Sequence, residues 1–176
     1  MESDSILPQL LLQLVLIAVN ALFAATEIAV ISLNETKVRR MAEGGDRKAA
    51  KMLRMVTEPT GFLSTIQICI TLAGFLGSAF AADNFSDKLV NWLINDCEVS
   101  GVSPSALDTI SVIIITLDLS YFTLVLGELV PKRIAMKRPE GIARAVSGLM
   151  IGMTTVLRPV IWLLTVSTNG VLRLCG

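Results

Sequence analysis

Long apolar runs alternate with short charged stretches along this chain, and the apolar runs have the length that a membrane requires. Crossing a bilayer core of ~30 Å takes ~20 residues of helix. Three runs are long enough: residues 7–33, 61–82 and 107–130. A fourth apolar region, residues 140–174, is interrupted by Arg158 and Pro159. We predict an all-α membrane protein with three transmembrane helices and a juxtamembrane helical region; a fourth span in that region is the alternative.

The charged stretch between the first two runs, KVRRMAEGGDRKAAKMLRMV, predicts two short helices joined at Gly44 and Gly45. Ala50, Leu53 and Val56 share one side of the second helix. This pattern predicts a basic amphipathic hairpin on the cytoplasmic side that lies against anionic lipid headgroups. A solvated loop is the alternative interpretation.

The charges of the connecting stretches predict the orientation. Residues 34–60 carry seven bases and four acids, and residues 131–159 carry six bases and one acid. Residues 83–108 carry five acids and one base. Because basic connections stay in the cytoplasm, we predict a multi-pass protein of the plasma membrane with its N-terminus outside and its C-terminus in the cytoplasm.

Composition supports a membrane protein and removes several function classes. The chain is 53% hydrophobic and 17% charged, outside the usual balance of a soluble domain. Fifteen acidic and fifteen basic residues cancel, which gives no argument for a nucleic-acid partner. The sequence has no histidine, the commonest general base and zinc ligand, and its three cysteines are too widely spaced for a CxxC metal site. We therefore predict that the chain is not an enzyme.

Three carboxylates fall inside the predicted spans, where a charge costs ~2.5 to 3.5 kcal/mol on insertion scales. They are Glu27, Asp118 and Glu128, and no basic residue lies within a span to pair with them. Each of the three spans also carries a stripe of polar and small residues. These are Asn20 and Thr26 in the first span, Ser64, Gln67 and Thr71 in the second, and Ser120, Tyr121, Thr123 and Gly127 in the third. Convergence of these faces would make a polar cavity; hydrogen bonding between packed helices is the alternative for the hydroxyls.

The segment GELVPKR ends the third run and places a proline one turn after a carboxylate. Pro131 has no N–H, so it frees the carbonyl of Gly127 from its helical bond, and we predict a helix break there. A free carbonyl beside the Glu128 carboxylate offers hard oxygen ligands suited to magnesium, calcium or sodium. A plain helix end at the membrane interface is the alternative explanation of Pro131.

Three ordered motifs resemble a known family. They are NALFAATEIAVISL, FLSTIQICITLAGFLGS and LVLGELVPKRIAMKRPE, and the match covers nearly the whole chain. The sequence resembles the cyclin M (CNNM)/CorC magnesium transporters, also called the DUF21 domain. The resemblance implies a homodimeric transmembrane domain, residues 1–176, that exports Mg²⁺ coupled to entry of Na⁺. It also implies that a cytoplasmic CBS pair, often with a CorC domain, follows Gly176 in the full-length protein.

The resemblance also implies a set of ligands for the ion. The glutamate of the family's GE-P motif is Glu128, with Gly127 beside it, and the neutral ligands are Ser64 and Thr26. The sequence departs from the family at Ala24, where members commonly carry a serine. The competing hypothesis is a membrane anchor and dimerisation module that senses ions without conducting them.

Overall fold

The computed structural model describes residues 6–95 and 104–175, and every element in these ranges is helical. The α-helices are α1 (Ile6–Ile31), α2 (Glu35–Glu43), α3 (Arg47–Thr57), α4 (Pro59–Asn95), α5 (Pro104–Leu124), α6 (Val130–Lys137), α7 (Pro139–Val156) and α8 (Arg158–Cys175). A π-helical turn, Val125–Leu129, joins α5 to α6. The prediction of an all-α protein is confirmed. Asp96, Cys97 and Glu98, which belong to the acidic stretch used for the orientation, lie outside the described residues.

Three helical stretches are long and apolar enough to cross a membrane, as predicted. They are Leu7–Ile31, Pro59–Ala81 and Thr109–Lys137. The third continues to Lys137, beyond the end predicted at residue 130, because the chain remains helical through Pro131. α7 and α8 are bent by 68° at Leu157 and pass the same test only as a pair. The bend falls beside Arg158 and Pro159, where the apolar pattern is interrupted.

The helices divide into two compact units, and α1 and α4 contribute to both. The first unit comprises Met1–Leu22 and Ile70–Pro131, and the second comprises Phe23–Cys69 and Lys132–Gly176. The first unit therefore contains α5 and the π turn. The second contains the α2–α3 hairpin, α7 and α8.

The second unit has an apolar core between the hairpin and the helices around it. Its buried members are Ala29, Leu33, Val38, Met52, Ala135 and Ala143. Ion pairs close the edge of this core, from Lys37 to Glu140 and from Arg144 to Asp46, the latter at 2.8 Å. The hairpin is thereby held to α7 by apolar contact and by charge.

The hairpin of two helices is confirmed, but its buried side differs from the prediction. Ala49, Met52 and Met55 are the buried residues of α3, whereas Ala50 is exposed. Because α3 packs against both α2 and α7, its buried face is centred one residue earlier than the sequence pattern indicated. The apolar side of the hairpin is therefore covered by protein, and contact of its basic side with lipid headgroups stays a prediction.

The turn between α2 and α3 has the backbone that its glycines permit. Gly45 has φ of +91°, a conformation that side chains rarely adopt. Asp46 follows as the N-cap of α3 and accepts hydrogen bonds from the backbone N–H groups of Lys48 and Ala49, at 2.9 and 3.2 Å. The sequence thus specifies both the end of α2 and the start of α3.

Candidate cation site

The third span contains a widened helical turn immediately before Pro131. The Val130 N–H donates to the Val125 carbonyl five residues earlier, the spacing of a π helix. Pro131 is the second residue of α6, a position in the first turn where a missing N–H is tolerated. The prediction of a helix break at Pro131 is therefore wrong. The helix widens into a π turn before the proline and continues as α6 beyond it.

The carbonyl of Gly127 has a partner on the first span. Asn20 Nδ2 donates to the Gly127 oxygen at 3.2 Å, and both residues are buried. A Cβ at position 127 would lie 3.1 Å from Asn20 Nδ2 and 3.4 Å from the carbonyl oxygen of Ile17. Glycine is favoured here, because a side chain at this position would force Asn20 of α1 to shift. The predicted ligand oxygen thus accepts one hydrogen bond and keeps a second lone pair.

Glu128 lines a cavity of about 350 Å³ in the first unit. The other lining residues are Gly74, Ser78, Leu119, Ser120, Thr123 and Leu124. Ser120 Oγ donates to the Thr116 carbonyl at 2.6 Å, which leaves its lone pairs for another donor or a cation. One carboxylate and three hydroxyl groups therefore border one cavity. These are hard oxygen ligands of the kind that magnesium and calcium take.

The structure brings together three residues that the sequence proposed and one that it missed. Ser120, Thr123 and Glu128 all line this cavity. Ser78 joins them from α4 and was not predicted. It lies seven residues beyond Thr71 on the same face of α4. Continuing the helical period of the polar residues past Thr71 would have identified it.

A smaller cavity of about 10 Å³ lies beside Asn20, close to the smallest volume that holds one water molecule. Gln13, Asn20 and Thr123 line it together with small residues of α4. Gln13 Oε1 and Asn20 Oδ1 are buried, and neither has a hydrogen-bond partner among the described residues. Buried acceptors of this kind need a donor or a cation. Gln13 was missed by the sequence analysis, although it lies seven residues before Asn20.

Asp118 lines a different and more apolar cavity. This cavity has a volume of about 520 Å³ and is bordered by aliphatic and aromatic side chains, with Gln13 and Asp118 as its polar members. Asp118 itself is exposed. Two of the three carboxylates in the spans, Asp118 and Glu128, thus belong to separate cavities of the first unit.

The remaining predicted site residues divide between the units. Thr26 is fully buried and Ser64 is half-buried, and both belong to the second unit, as does the exposed Gln67. Thr71 is exposed in the first unit, which also holds Gly127 and Glu128. The proposed ligands therefore come from both units. Ala24, which replaces the serine of the family pattern, is fully buried.

Glu27 has a basic partner, contrary to the sequence analysis. Its Oε2 lies 3.1 Å from Lys132 Nζ, and each side chain is about a quarter exposed. Lys132 follows the third apolar run in sequence, and its long aliphatic stem allows the ammonium group to reach back to this carboxylate. Lys132 thus gives the Glu27 carboxylate a partner of opposite charge within the second unit.

Among the side chains that the structure describes, no three acidic or cysteine groups gather in one place. A cation at Glu128 would thus meet one carboxylate and several neutral oxygens. Magnesium in proteins is often held in this way, with few carboxylates and several retained waters.

Three apolar spans with oxygen-lined cavities beside them are typical of an integral membrane protein. Residues 11–176 match the Cyclin M transmembrane N-terminal domain. The chain belongs to this family, as its three motifs predicted.

Similar proteins occur in several bacteria. The chain is 37% identical over 176 residues to UPF0053 protein sll0260 of Synechocystis sp., covering 100% of this chain and 38% of that protein. It is 29% identical over 159 residues to the Polyamine export protein of Haemophilus influenzae, a match that covers 90% of this chain and 36% of that protein. It is 28% identical over 159 residues to UPF0053 inner membrane protein YfjD of Escherichia coli, a match that covers 90% of this chain and 33% of that protein. The chain thus spans less than two fifths of the length of each of these relatives.

Proposed function

We propose that the chain exports magnesium ions, coupled to entry of sodium, and that Glu128 is the anionic ligand. The observation that carries this proposal is the cavity that Glu128 shares with Ser78, Ser120 and Thr123. A single carboxylate with hydroxyl oxygens suits a hard divalent cation and is poor for soft metals. Family membership supports the same activity.

The size of the cavity supports an ion that keeps part of its water. Six waters occupy ~180 Å³ at ~30 Å³ each, which is less than the volume of about 350 Å³ beside Glu128. Magnesium dehydrates reluctantly, so Glu128 and the hydroxyls would act on waters that the ion retains. The carbonyl oxygen of Gly127 completes the ligand set of the first unit in this proposal, and rocking of the helices gives access from each side in turn.

Orientation and partners form part of the same proposal. The basic connections favour an outside N-terminus and a cytoplasmic C-terminus. The E. coli relative carries the words "inner membrane protein" in its name, which supports a place in the plasma membrane. We further propose a homodimer and a cytoplasmic CBS pair in the full-length protein, since members of the family are built in this way and the relatives are longer than this chain.

A second candidate substrate is an organic polycation. The relative from Haemophilus influenzae is named a polyamine export protein. The cavity of about 520 Å³ favours such a substrate, because its apolar walls fit methylene groups and Asp118 can pair with an ammonium group. The two candidates therefore depend on different carboxylates.

The test is ion flux through the chain reconstituted in lipid vesicles. Wild type is compared with Glu128→Gln and with the matched variant Asp118→Asn, under an inward sodium gradient. Magnesium flux that is lost in Glu128→Gln and retained in Asp118→Asn supports magnesium export. Polyamine flux that is lost in Asp118→Asn and retained in Glu128→Gln favours the second candidate. Magnesium binding without flux of either ion indicates the ion-sensing module that does not conduct.

A further inference from the structure

A cavity of about 300 Å³ lies in the second unit, where α3, the start of α4, α7 and α8 meet. It has a charged side and an apolar side. The charged residues are Arg54, Glu58 and Arg158, and the apolar ones are Phe62, Ile151 and Ile161. We call it the α7–α8 pocket. Such a division of polarity suits a ligand with an ionic head and a hydrocarbon body.

The charged side of the pocket is basic overall. Arg54 and Glu58 form an ion pair at 3.8 Å on one face of α3, and both side chains are well exposed. A pair of this length and exposure is weak, so it leaves Arg54 available to a stronger anion. Within the described residues, Arg158 has no acidic group within 4 Å. The pocket thus contains two guanidinium groups and one carboxylate.

The hydroxyl groups at the pocket already form hydrogen bonds within the protein. Thr65 and Thr154 hydrogen-bond to each other at 2.9 Å, and Thr65 also donates to the Gly61 carbonyl at 2.8 Å. Thr155 donates to the Ile151 carbonyl of its own helix at 2.8 Å. The side-chain donors left for a ligand are the guanidinium groups of Arg54 and Arg158. These donors favour an anion.

The position of the pocket identifies the source of that anion. Pro59, the first residue of α4, is also the first residue of the candidate span Pro59–Ala81, so the pocket lies at the level of the lipid headgroups. The neighbouring helix α8 exposes Val160, Trp162 and Leu163 close to Arg158. Basic pockets beside membrane spans bind acidic headgroups, whereas apolar walls favour acyl chains.

We propose that the α7–α8 pocket binds an anionic phospholipid. Arg54 and Arg158 bind its phosphate in a bidentate manner, as guanidinium groups do with phosphates, and Phe62 and Ile161 contact the first part of an acyl chain. Lipid at this position would contact α3, α4, α7 and α8 at once, and would stabilise the bend between α7 and α8. The proposal is independent of which ion the first unit carries.

The experiment measures lipid retained by the purified chain in detergent, by native mass spectrometry, after incubation with equal amounts of phosphatidylglycerol and phosphatidylcholine. Wild type is expected to prefer phosphatidylglycerol. Loss of a charge-assisted hydrogen bond in Arg158→Gln is expected to lower that preference about tenfold. Glu58→Gln is expected to raise it, because the competing carboxylate is removed. Arg40→Gln, which removes an exposed charge outside the pocket, is the matched control and is expected to match wild type.

Opposite effects of Arg158→Gln and Glu58→Gln cannot arise from a general loss of folding, so they would establish the site. Equal retention of both lipids by wild type would overturn the proposal. If Arg40→Gln lost as much of the preference for phosphatidylglycerol as Arg158→Gln, the proposal would also be overturned. Such a result would show that the lipid is attracted by the net charge of the protein alone. Displacement of the lipid by millimolar inorganic phosphate would identify a site for free phosphate and would also overturn it.

Discussion

Asn20 donates a hydrogen bond to the carbonyl of Gly127 at 3.2 Å, although 107 positions separate the two residues in the sequence. Pro131 removes the N–H that would serve this carbonyl in an α-helix, and the side chain of Asn20 replaces it. The bond therefore couples the π turn to the first span. It also fixes the backbone on which Glu128 stands.

Asn20→Leu is expected to destabilise the protein by ~1 to 3 kcal/mol, because the buried Gly127 carbonyl loses its donor. The measurement is thermal unfolding in a fixed detergent. The matched control is Asn20→Gln, which keeps an amide donor on a longer side chain and is expected to destabilise less. Full stability of the leucine variant would show that the donated proton is unimportant.

Gly127→Ala is expected to destabilise the protein by ~1 to 3 kcal/mol, since the added methyl group would lie 3.1 Å from Asn20 Nδ2. Gly152→Ala in α7 is the matched control, because a Cβ there meets nothing within 4 Å. Helix propensity predicts a neutral or stabilising effect for the control, by up to ~1 kcal/mol. Similar unfolding temperatures for the two variants would contradict the close approach of α1 to the π turn.

Glu128→Gln is expected to abolish the response to magnesium while the fold is retained. A ligand that binds only the folded state stabilises it by ~2.7 kcal/mol at a hundredfold excess over its Kd. The measurement is thermal unfolding of wild type and variant across a magnesium titration. An unchanged shift in the variant would remove Glu128 from the site, and the absence of a shift in wild type would favour the ion-sensing anchor or a requirement for further domains.

Pro131→Ala is expected to weaken magnesium binding. Alanine restores a backbone N–H that competes with Asn20 for the Gly127 carbonyl and favours an α turn over the π turn. The same titration measures this effect. Equal or tighter binding would show that the carbonyl of Gly127 and the width of this turn do not contribute to the site.

Asp46 is expected to make part of the stability dependent on pH. The Ala49 N–H chiefly, with the Lys48 N–H and the Arg144 guanidinium, lowers the pKa of this carboxyl below its usual 3.8, against an opposing effect of burial. Because the folded-state pKa is lowered, the contribution is complete above the unfolded value and is lost as the pH falls through the folded value. Unfolding temperatures of wild type and Asp46→Asn should therefore converge in acid. A constant difference down to pH ~3 would contradict this assignment.

The helical class, the three spans and the two-helix hairpin followed from the sequence. They depend on local properties: the length of apolar runs, the helical period, and turn residues such as Gly45 and Asp46. The same properties indicated the interruption of the last apolar region at Arg158. Family membership was also readable, because its three motifs are contiguous in the sequence.

The partners of individual polar residues were decided by tertiary structure alone. Sequence spacing placed Glu27 among carboxylates without a basic neighbour, yet Lys132 reaches it from a segment more than a hundred residues away. It identified the carbonyl that Pro131 frees, yet not the amide of Asn20 that occupies it. A helical period states which residues share a face. Only the packing of one helix against another decides what that face meets, because those contacts join positions that are unrelated in sequence.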